Sequence, residues 1–156
     1  MAASHSIRST TIELSPRFSV INLSSIYEKQ DRHRVLYNLL KERDAVTNIS
    51  HRKLPSWDEH VQFVESHPYK AWYFIQGATE EIIGSCYLSH QNEIGVFIFK
   101  SRQGKGDGQA TIKALMNAHG PGRYLANINP HNERSLGVFA KLGFKKIQET
   151  YELNID

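Results

Sequence analysis

The sequence predicts a single α+β domain with a mixed, mostly antiparallel sheet. Three strand-like apolar segments follow one another through connections of hairpin length: Ala71–Ile75, Ile82–Ser89 and Glu93–Phe99. Such segments pair as antiparallel neighbours. A helical segment then leads to a further strand, Tyr124–Ile128. Because a strand–helix–strand connection is a right-handed crossover, Tyr124–Ile128 is expected to lie parallel to Glu93–Phe99.

Length and composition indicate one globular unit. The chain has 156 residues, of which 40% are hydrophobic and 22% charged, as in a single soluble domain. The net charge of +3 suits an acidic ligand, but no clustered basic face indicates nucleic-acid binding. The apolar runs are strand-sized, so no membrane span is expected, and a cytoplasmic setting is the default. Residues 1–16 are expected to form a flexible tail before a domain over 17–156, and Cys86 to be a small core residue.

Before the three hairpin strands, the sequence predicts one strand and two helices. The strand is Phe18–Leu23, and the first helix is expected over residues 26–43. Its apolar stripe comprises Val35, Leu36, Leu39 and Leu40. Ser56 and Glu59 match a capping box that opens a short second helix. The apolar positions of this helix are Val61, Phe63 and Val64.

After the crossover, the sequence predicts one more helix and two final strands. The helix is Asn132–Leu142, and Gly143 is expected to end it as the C-cap. Leu136, Phe139 and Leu142 are its inward positions. The strands are Phe144–Lys146 and Gln148–Asn154.

A glycine-rich loop lies between a strand and a helix in the stretch Ile94–Ala110. Gly95–Phe99 is a continuous apolar run, typical of a strand buried on both faces. Glycine then occupies every second position, at Gly104, Gly106 and Gly108. Glycine permits positive φ and close approach, and a helix N-terminus adds unpaired N–H donors, so this pattern is typical of an anion-binding loop. A glycine-rich turn without a ligand is the alternative.

Two familiar phosphate-binding loops do not match this stretch. A P-loop requires Ser or Thr after its lysine, whereas Lys105 lies between glycines. The dinucleotide fingerprint requires a third glycine where Gln109 or Thr111 stands. Gln109 is instead expected to open the following helix. The pattern that does match is Q-x-x-G-x-G, formed by Gln103, Gly106 and Gly108. It resembles the pyrophosphate-binding motif of the GCN5-related N-acetyltransferase (GNAT) superfamily.

A second stretch, residues 129–144, independently resembles the other acetyl-CoA element of the same superfamily. The matching positions are Asn129, Asn132, Ser135, Lys141, Leu142, Gly143 and Phe144. Both elements occur in the expected order with one strand between them, and the resemblance extends over roughly residues 45–153. It implies a GNAT-like α/β/α fold in which the two parallel strands splay apart, and acetyl-CoA as the acetyl donor.

The resemblance also implies which residues hold acetyl-CoA. Backbone N–H groups of the loop would hold the pyrophosphate, from Gln103, Gly104, Lys105, Gly106, Asp107, Gly108 and Gln109. The main chain of Phe97, Ile98 and Phe99 would pair with pantetheine, and Ile98 or its neighbour would donate an N–H to the thioester oxygen. Asn132 and Ser135 would contact the pantetheine or phosphate arm, although helix capping also explains Asn132.

The catalytic groups are less well specified. Many superfamily members carry a tyrosine as thiolate acid where this chain has Phe139, so Tyr151, a water or direct release to solvent must replace it. Glu93, at the start of the central strand, is the first candidate for the base. His90, whose ordinary pKa of about 6.5 suits proton transfer, is the second. A solvated strand-end carboxylate is the alternative for Glu93.

The acceptor is expected to be a primary amine of a small molecule. His51 and Arg52 lie in the loop that, by resemblance, covers the acceptor cleft, and they favour an anionic acceptor such as a nucleotide-linked amino sugar. A solvated surface loop is the alternative. Protein acetylation and non-catalytic acyl-CoA binding remain alternative functions. The histidines show no metal-ligand spacing, and the chain is expected to be a monomer or homodimer.

Overall fold

The strands seen in the structure form one antiparallel sheet. The computed structural model describes residues 21–44, 48 and 53–155, so the expected tail at residues 1–16 lies outside it. The strands are β1 (Asn22–Ser25), β2 (Ala71–Gln76), β3 (Ile82–Leu88) and β4 (Ile94–Ile98). They lie in the order β1-β2-β3-β4, each antiparallel to the next. The three expected hairpin strands are therefore confirmed.

Helices cover both faces of this sheet. They are α1 (Arg32–Lys41), α2 (Trp57–Glu65), α3 (Asp107–His119) and α4 (Glu133–Lys141). Because side chains alternate along a strand, Trp72 of β2 packs with Leu36 of α1 and Val64 of α2. The next residue, Tyr73, packs on the opposite face with Leu115 of α3 and Phe139 of α4. The fold is thus the expected α/β/α arrangement. Of the described helices, none has the length and apolar character needed to cross a membrane.

The N-terminal elements differ from the prediction. Residues 18–20 of the expected strand Phe18–Leu23 lie outside the described residues, and β1 begins at Asn22. The helix expected over residues 26–43 is wrong at its start, where Ile26–Glu28 form a 3-10 turn and α1 begins at Arg32. Asp31 has a φ of 60°, and this left-handed conformation interrupts a right-handed helix.

Helix α2 begins at the predicted capping box. The Glu59 N–H donates to the Ser56 hydroxyl at 3.3 Å, and the Ser56 N–H donates to the Glu59 carboxylate at 2.7 Å. Of the apolar positions of this helix, Phe63 is 47% exposed and Val64 is fully buried. His60 and Val64, spaced i and i+4, are the buried positions. The buried His60 ring satisfies one nitrogen by donating from Nε2 to the His33 carbonyl, 2.8 Å away.

Helix α4 is fixed at both ends by its own sequence. Asn132 is its N-cap, and the Asn132 side-chain oxygen accepts from the Ser135 N–H at 3.1 Å. At the other end Gly143, with a φ of 89°, follows the C-cap residue Leu142. The Gly143 N–H donates to Ala140 and the Phe144 N–H donates to Phe139, both at 3.0 Å. These bonds form a Schellman motif, in which Gly143, expected as the C-cap, lies one position beyond the observed C-cap Leu142. Leu136, expected to face inward, is 42% exposed.

The crossover returns parallel to β4, but pairs with it at a single bridge. The Ile94 N–H donates to the Leu125 carbonyl at 2.8 Å, and the Leu125 N–H donates to the Asn92 carbonyl at 2.9 Å. These bonds make a parallel bridge between Glu93 and Leu125. Past this point, the described residues form no further ladder between the two segments. The expected parallel direction is confirmed, whereas the expected strand Tyr124–Ile128 is reduced to this bridge.

The two strands expected at the C-terminal end, Phe144–Lys146 and Gln148–Asn154, are wrong. Residues 144–155 carry no strand. Their large apolar side chains Ile147, Tyr151, Leu153 and Ile155 are 67–87% exposed. Alternation of apolar residues makes a strand only where a neighbouring strand edge supplies hydrogen bonds and packing. In the described structure, no such edge lies beside this segment.

The same Gly→Ala change is expected to have opposite effects at two glycines. At Gly84 in β3, a Cβ would overlap the Phe97 carbonyl oxygen of β4, so Gly84→Ala should lower the free energy of unfolding by about 1–3 kcal/mol. At Gly137 inside α4, no atom lies within 4 Å of the added Cβ. Gly137→Ala should raise the free energy of unfolding by about 0.5–1 kcal/mol, because alanine is the better helix former. Urea unfolding measures both; equal effects would contradict the close approach at Gly84.

Candidate active site

A single continuous cleft runs from the glycine-rich loop to the aromatic side chains between α1, α2 and the sheet. Its volume is about 1680 Å³. One wall is β4, and the other is the segment from Asn127 to Ser135. The cleft exists because β4 and the crossover part after the bridge at Glu93 and Leu125. The expectation that β4 is buried on both faces is therefore wrong, since Gly95–Ile98 are only half-buried.

The glycine-rich loop presents the N-terminus of α3 to one end of this cleft. Gly104 and Gly106 have φ values of 77° and 87°, which favour glycine. Gly106 is the N-cap, so α3 begins at Asp107 and not at the expected Gln109. The first bond of the helix joins the Ala110 N–H to the Gly106 carbonyl at 3.1 Å. The N–H groups of Gly108 and Gln109 therefore have no acceptor within the helix and are available to an anion.

Two side chains of the loop have structural roles. The Asp107 carboxylate is buried and lies 3.2 Å from Nη2 of Arg102. Arg102 also contacts Glu81 at 3.3 Å, so it ties the start of α3 to the end of the β2–β3 hairpin. Asp107 can thus contribute its backbone to an anion site, but its carboxylate faces Arg102. Lys105 is exposed and is not among the residues that line the cleft.

Gln103 connects the loop to both walls. Its Nε2 donates to the Ile98 carbonyl at 2.9 Å, and its Oε1 accepts from Nη1 of Arg134 on α4. The side chain therefore spans the cleft between β4 and α4 at the end of the open strand edge. Arg134, which sequence reasoning missed, adds a positive charge beside the loop.

The hydrogen-bonding pattern shows which β4 amides face the cleft. The Phe99 N–H donates to Ile83 of β3, whereas the Ile94 N–H donates to Leu125 on the opposite side. Because N–H directions alternate along a strand, the amides of Val96 and Ile98 point to the cleft edge. The main chain of Phe97 and Phe99, expected to pair with pantetheine, points instead to β3. Val96, which was not predicted, joins Ile98 as a donor at this edge.

The second predicted element contributes mainly to the shape of the cleft. Asn132 and Ser135 line it, but the Asn132 side-chain oxygen is occupied as the α4 N-cap. Asn129 donates from Nδ2 to the Asn48 carbonyl at 2.8 Å. Phe139, in the position where a thiolate acid was expected, is 8% exposed. Its ring packs edge-on against Phe144 at 5.0 Å, completing the Schellman turn.

Of the three predicted catalytic residues, the structure brings only Glu93 to the cleft. Its Oε2 accepts from the Ser89 hydroxyl at 3.1 Å, and its Oε1 accepts from Nδ2 of Asn127 at 2.9 Å. The carboxylate is therefore half-buried and held in one position by two neutral donors. His90 is exposed in the preceding turn and does not line the cleft. Tyr151 is 86% exposed, and its hydroxyl donates to Glu149 at 2.7 Å.

The opposite end of the cleft is aromatic and carries one arginine. Tyr69 and Tyr87 stack with ring centroids 3.8 Å apart, and Trp72 lies edge-on to Tyr69 at 4.9 Å. Arg43 lies over the Phe97 ring at 4.3 Å. The predicted residues His51 and Arg52 lie outside the described residues. Trp72 is a core residue, whereas Trp57 is 45% exposed. Arg43, Tyr69 and Tyr87 were missed because they come from separate elements without a shared motif.

Comparison with known proteins identifies the family. Residues 21–145 match the acetyltransferase (GNAT) domain family. The match covers most of the chain and begins earlier than residue 45, where the resemblance was expected to start. The chain belongs to the GNAT family. No curated protein matches it significantly.

Among the described residues, no group of three His, Cys, Asp or Glu is placed to hold a metal ion.

Solved structures share this GNAT fold. A domain from Methanocaldococcus jannaschii superimposes with a TM-score of 0.73 and 23% identity, over 86% of this chain and 94% of that chain. Spermidine N-acetyltransferase from Vibrio cholerae, in complex with CoA and spermine, gives a TM-score of 0.70 with 18% identity, over 86% of this chain and 88% of that chain. At these identities the similarity shows the fold.

The residues of this chain fit acetyl-CoA, the acetyl donor of the GNAT family. The N–H groups of Gly108 and Gln109 suit a pyrophosphate, and the open edge at Val96 and Ile98 suits the amides of a pantetheine arm. Both features line the same cleft. Their order along the cleft is the order of the chemical groups in CoA.

The Gly108→Ala variant should weaken CoA binding without harming the fold. No atom lies within 4 Å of a Cβ at Gly108, and alanine favours a helix, so the melting temperature should hold or rise. The added methyl group would stand at the helix N-terminus, where the pyrophosphate must approach the backbone. Isothermal titration with CoA should show Kd raised at least about tenfold, or 1.4 kcal/mol. Gly137→Ala, away from the cleft, is the matched control, and an unchanged Kd for Gly108→Ala would contradict this placement.

Proposed function

We propose that this N-acetyltransferase moves the acetyl group of acetyl-CoA to the primary amine of a small molecule. The observation that carries the proposal is the unpaired edge of β4, which runs from the N-terminus of α3 to the carboxylate of Glu93. One end of the cleft has backbone donors for the CoA phosphates. The other end has a carboxylate and an aromatic pocket, which suit an amine. Acetylation of a polyamine by a protein of the same fold supports amine acetylation in general.

Glu93 is proposed as the base. An amine at neutral pH arrives as an ammonium ion and must lose a proton before it attacks a carbonyl carbon. The Glu93 carboxylate accepts hydrogen bonds only from Ser89 and Asn127 in the described structure, and each of its oxygens has further acceptor capacity. It can therefore receive the proton directly or through a water. Ser89 and Asn127 act as positioning residues by fixing its orientation.

Bound acetyl-CoA supplies an acetyl group on a good leaving thiolate. The amides of Val96 and Ile98 are the donors available for the negative charge that develops on the carbonyl oxygen. A fixed donor of this kind typically accelerates acyl transfer by about 10²–10³-fold. Phe139 cannot donate a proton, so we propose that the thiolate leaves unassisted and is protonated by solvent. An ordinary thiol pKa of about 8.5 makes that departure feasible at neutral pH.

The finer identity of the acceptor stays a prediction. The nucleotide-linked amino sugar rests on Arg52 and His51, which the structure does not describe. Protein acetylation and non-catalytic acyl-CoA binding are the alternatives that an assay must separate. Release of free CoA with a panel of small primary amines supports the proposal. Turnover with peptides alone would favour a protein substrate, and CoA binding without any turnover would favour a binding domain.

The Glu93→Gln variant tests the base. Glutamine keeps the size of the side chain and can still accept a hydrogen bond from Ser89 or Asn127 through its one oxygen, but it cannot accept the proton. We expect kcat to fall by about 10²–10⁴-fold at neutral pH, with the Kd for acetyl-CoA unchanged. The loss should shrink at high pH, where more of the amine is already deprotonated. A kcat close to that of the native protein would show that another group removes the proton.

A further inference from the structure

The aromatic end of the cleft is built as a rigid pocket. The stacked Tyr69 and Tyr87 rings are nearly parallel, at 3°, and Phe63 and Trp72 lie edge-on beside them. The Tyr87 ring crosses β4 at Gly95, where any Cβ would overlap it. Gly95 is therefore the residue that lets this ring reach the cleft edge. Such packing fixes the wall before a ligand binds.

One cation, Arg43, is held in this wall. Its guanidinium lies 4.3 Å from the centroid of Phe97, and burial lowers the pKa of Arg43. The residues on either side of it anchor the backbone. The Glu42 carboxylate accepts from the Lys100 N–H at 2.8 Å, and Asp44 pairs with the Lys100 ammonium at 2.9 Å. The two neighbouring carboxylates therefore bind Lys100, while Arg43 lines the cleft.

Two buried donors in this wall have no hydrogen-bond partner among the described residues. They are Nε of Arg43 and Nε1 of Trp72. Trp72 is only 8% exposed, and it also lines the cleft. Leaving a buried donor without an acceptor is costly, and native proteins rarely do so. For Arg43 this means that the described residues leave part of the hydrogen-bonding capacity of its guanidinium unused.

A carboxylate of opposite charge lies further along the same wall. The Tyr87 ring crosses β4 at Gly95, two residues after Glu93. Phe97, over which Arg43 lies, follows two residues after Gly95. No ion pair joins Glu93 to Arg43 in the described structure; Glu93 is held by Ser89 and Asn127. The pocket therefore presents a negative group and a positive group on two sides of Tyr87.

We propose that Arg43 determines acceptor specificity, and that the acceptor carries an anionic oxygen group, a carboxylate or a phosphate, close to its primary amine. This inference rests on the proposed function and names the class of its substrate. The ammonium lies toward Glu93 and the anion toward Arg43, whose guanidinium forms strong charge-assisted hydrogen bonds to such groups. The aromatic walls contact the carbon atoms between the two.

A polycationic acceptor fits this pocket poorly. A second ammonium placed beside Arg43 would be repelled, because like charges in a partly buried site repel strongly. The spermidine N-acetyltransferase of the same fold shares only 18% identity with this chain. The similarity of fold therefore does not imply that this chain acetylates a polyamine, and the presence of Arg43 as well as Glu93 in its cleft favours an acceptor that also carries a negative charge.

Matched pairs of amines test the inference. The first pair is phenylalanine and phenethylamine, which differ by a carboxylate; the second is glucosamine 6-phosphate and glucosamine, which differ by a phosphate. Spermidine is the polycationic probe. For the native protein, the anionic member of at least one pair should have a kcat/KM higher by about tenfold or more. The pair that shows the larger ratio tells which anion the site recognises.

Three variants make the test specific to Arg43. Arg43→Met keeps an apolar stem over Phe97 but removes the charge, and should bring the anionic-to-neutral ratio close to one. Arg43→Lys keeps the charge without the planar fork, and should retain an intermediate ratio. Arg34→Met changes an exposed arginine of α1, the helix that precedes Arg43, and should leave the ratio unchanged. The Kd for CoA and the melting temperature verify that each variant is folded.

A binding measurement separates this inference from the proposed function. Isothermal titration of N-acetylphenylalanine or N-acetylglucosamine 6-phosphate, with CoA present, requires no turnover. Binding to the native protein that is lost in Arg43→Met supports the inference even if no amine in the panel is acetylated, an outcome that would defeat the proposed function. Efficient acetylation of spermidine and neutral amines, with no effect of Arg43→Met on any ratio, would overturn the inference and leave the proposed function standing.

Discussion

The single parallel bridge between Glu93 and Leu125 is the contact on which the rest of the site depends. Its two hydrogen bonds join β4 to the crossover at one point and, within the described residues, leave the amides beyond it unpaired. Unpaired strand edges are usually protected; here Gln103 caps the Ile98 carbonyl, and residues of α4 line the opening. More ladder bonds would close the cleft, and fewer would detach the crossover from the sheet. The same bridge places Asn127 where it can hold the Glu93 carboxylate.

The part of the site that is expected to bind the acetyl donor could be predicted from the sequence, because its hydrogen-bond donors are backbone groups. Left-handed conformations at Gly104 and Gly106 require a residue type that is visible in the sequence. The Schellman turn at Gly143 and Phe144 is visible for the same reason. Even there, the residue at which α3 begins was misplaced, because the capping position depends on the φ of Gly106. The pairing of the Asp107 carboxylate with Arg102 was not predicted, because only the backbone of this loop was considered.

The acceptor half could not be predicted in this way because it consists of side chains from distant elements. Arg43 follows α1, Tyr69 precedes β2, and Tyr87 is on β3. Nothing in their spacing relates them, and only the sheet register, with Tyr87 opposite Gly95, brings them together. The prediction of the two final strands was wrong for a related reason. The alternation of apolar residues at Tyr151, Leu153 and Ile155 is a property of the local sequence. A strand also requires a neighbouring strand to pair with, and the local sequence does not show whether one is present.

One fold can serve different acceptors when backbone groups bind the acetyl donor and side chains bind the acceptor. Backbone donors can bind the same CoA whatever side chains surround them, so a glycine loop and an open strand edge of this kind can stay constant. Acceptor choice then depends on a few charges set into an otherwise apolar wall, where a low dielectric makes each of them count. In the acceptor site proposed for this chain, the charges that face the two ends of the acceptor are Glu93 and Arg43. Because one is negative and the other positive, such a site would discriminate by the arrangement of charge on the acceptor more than by its size.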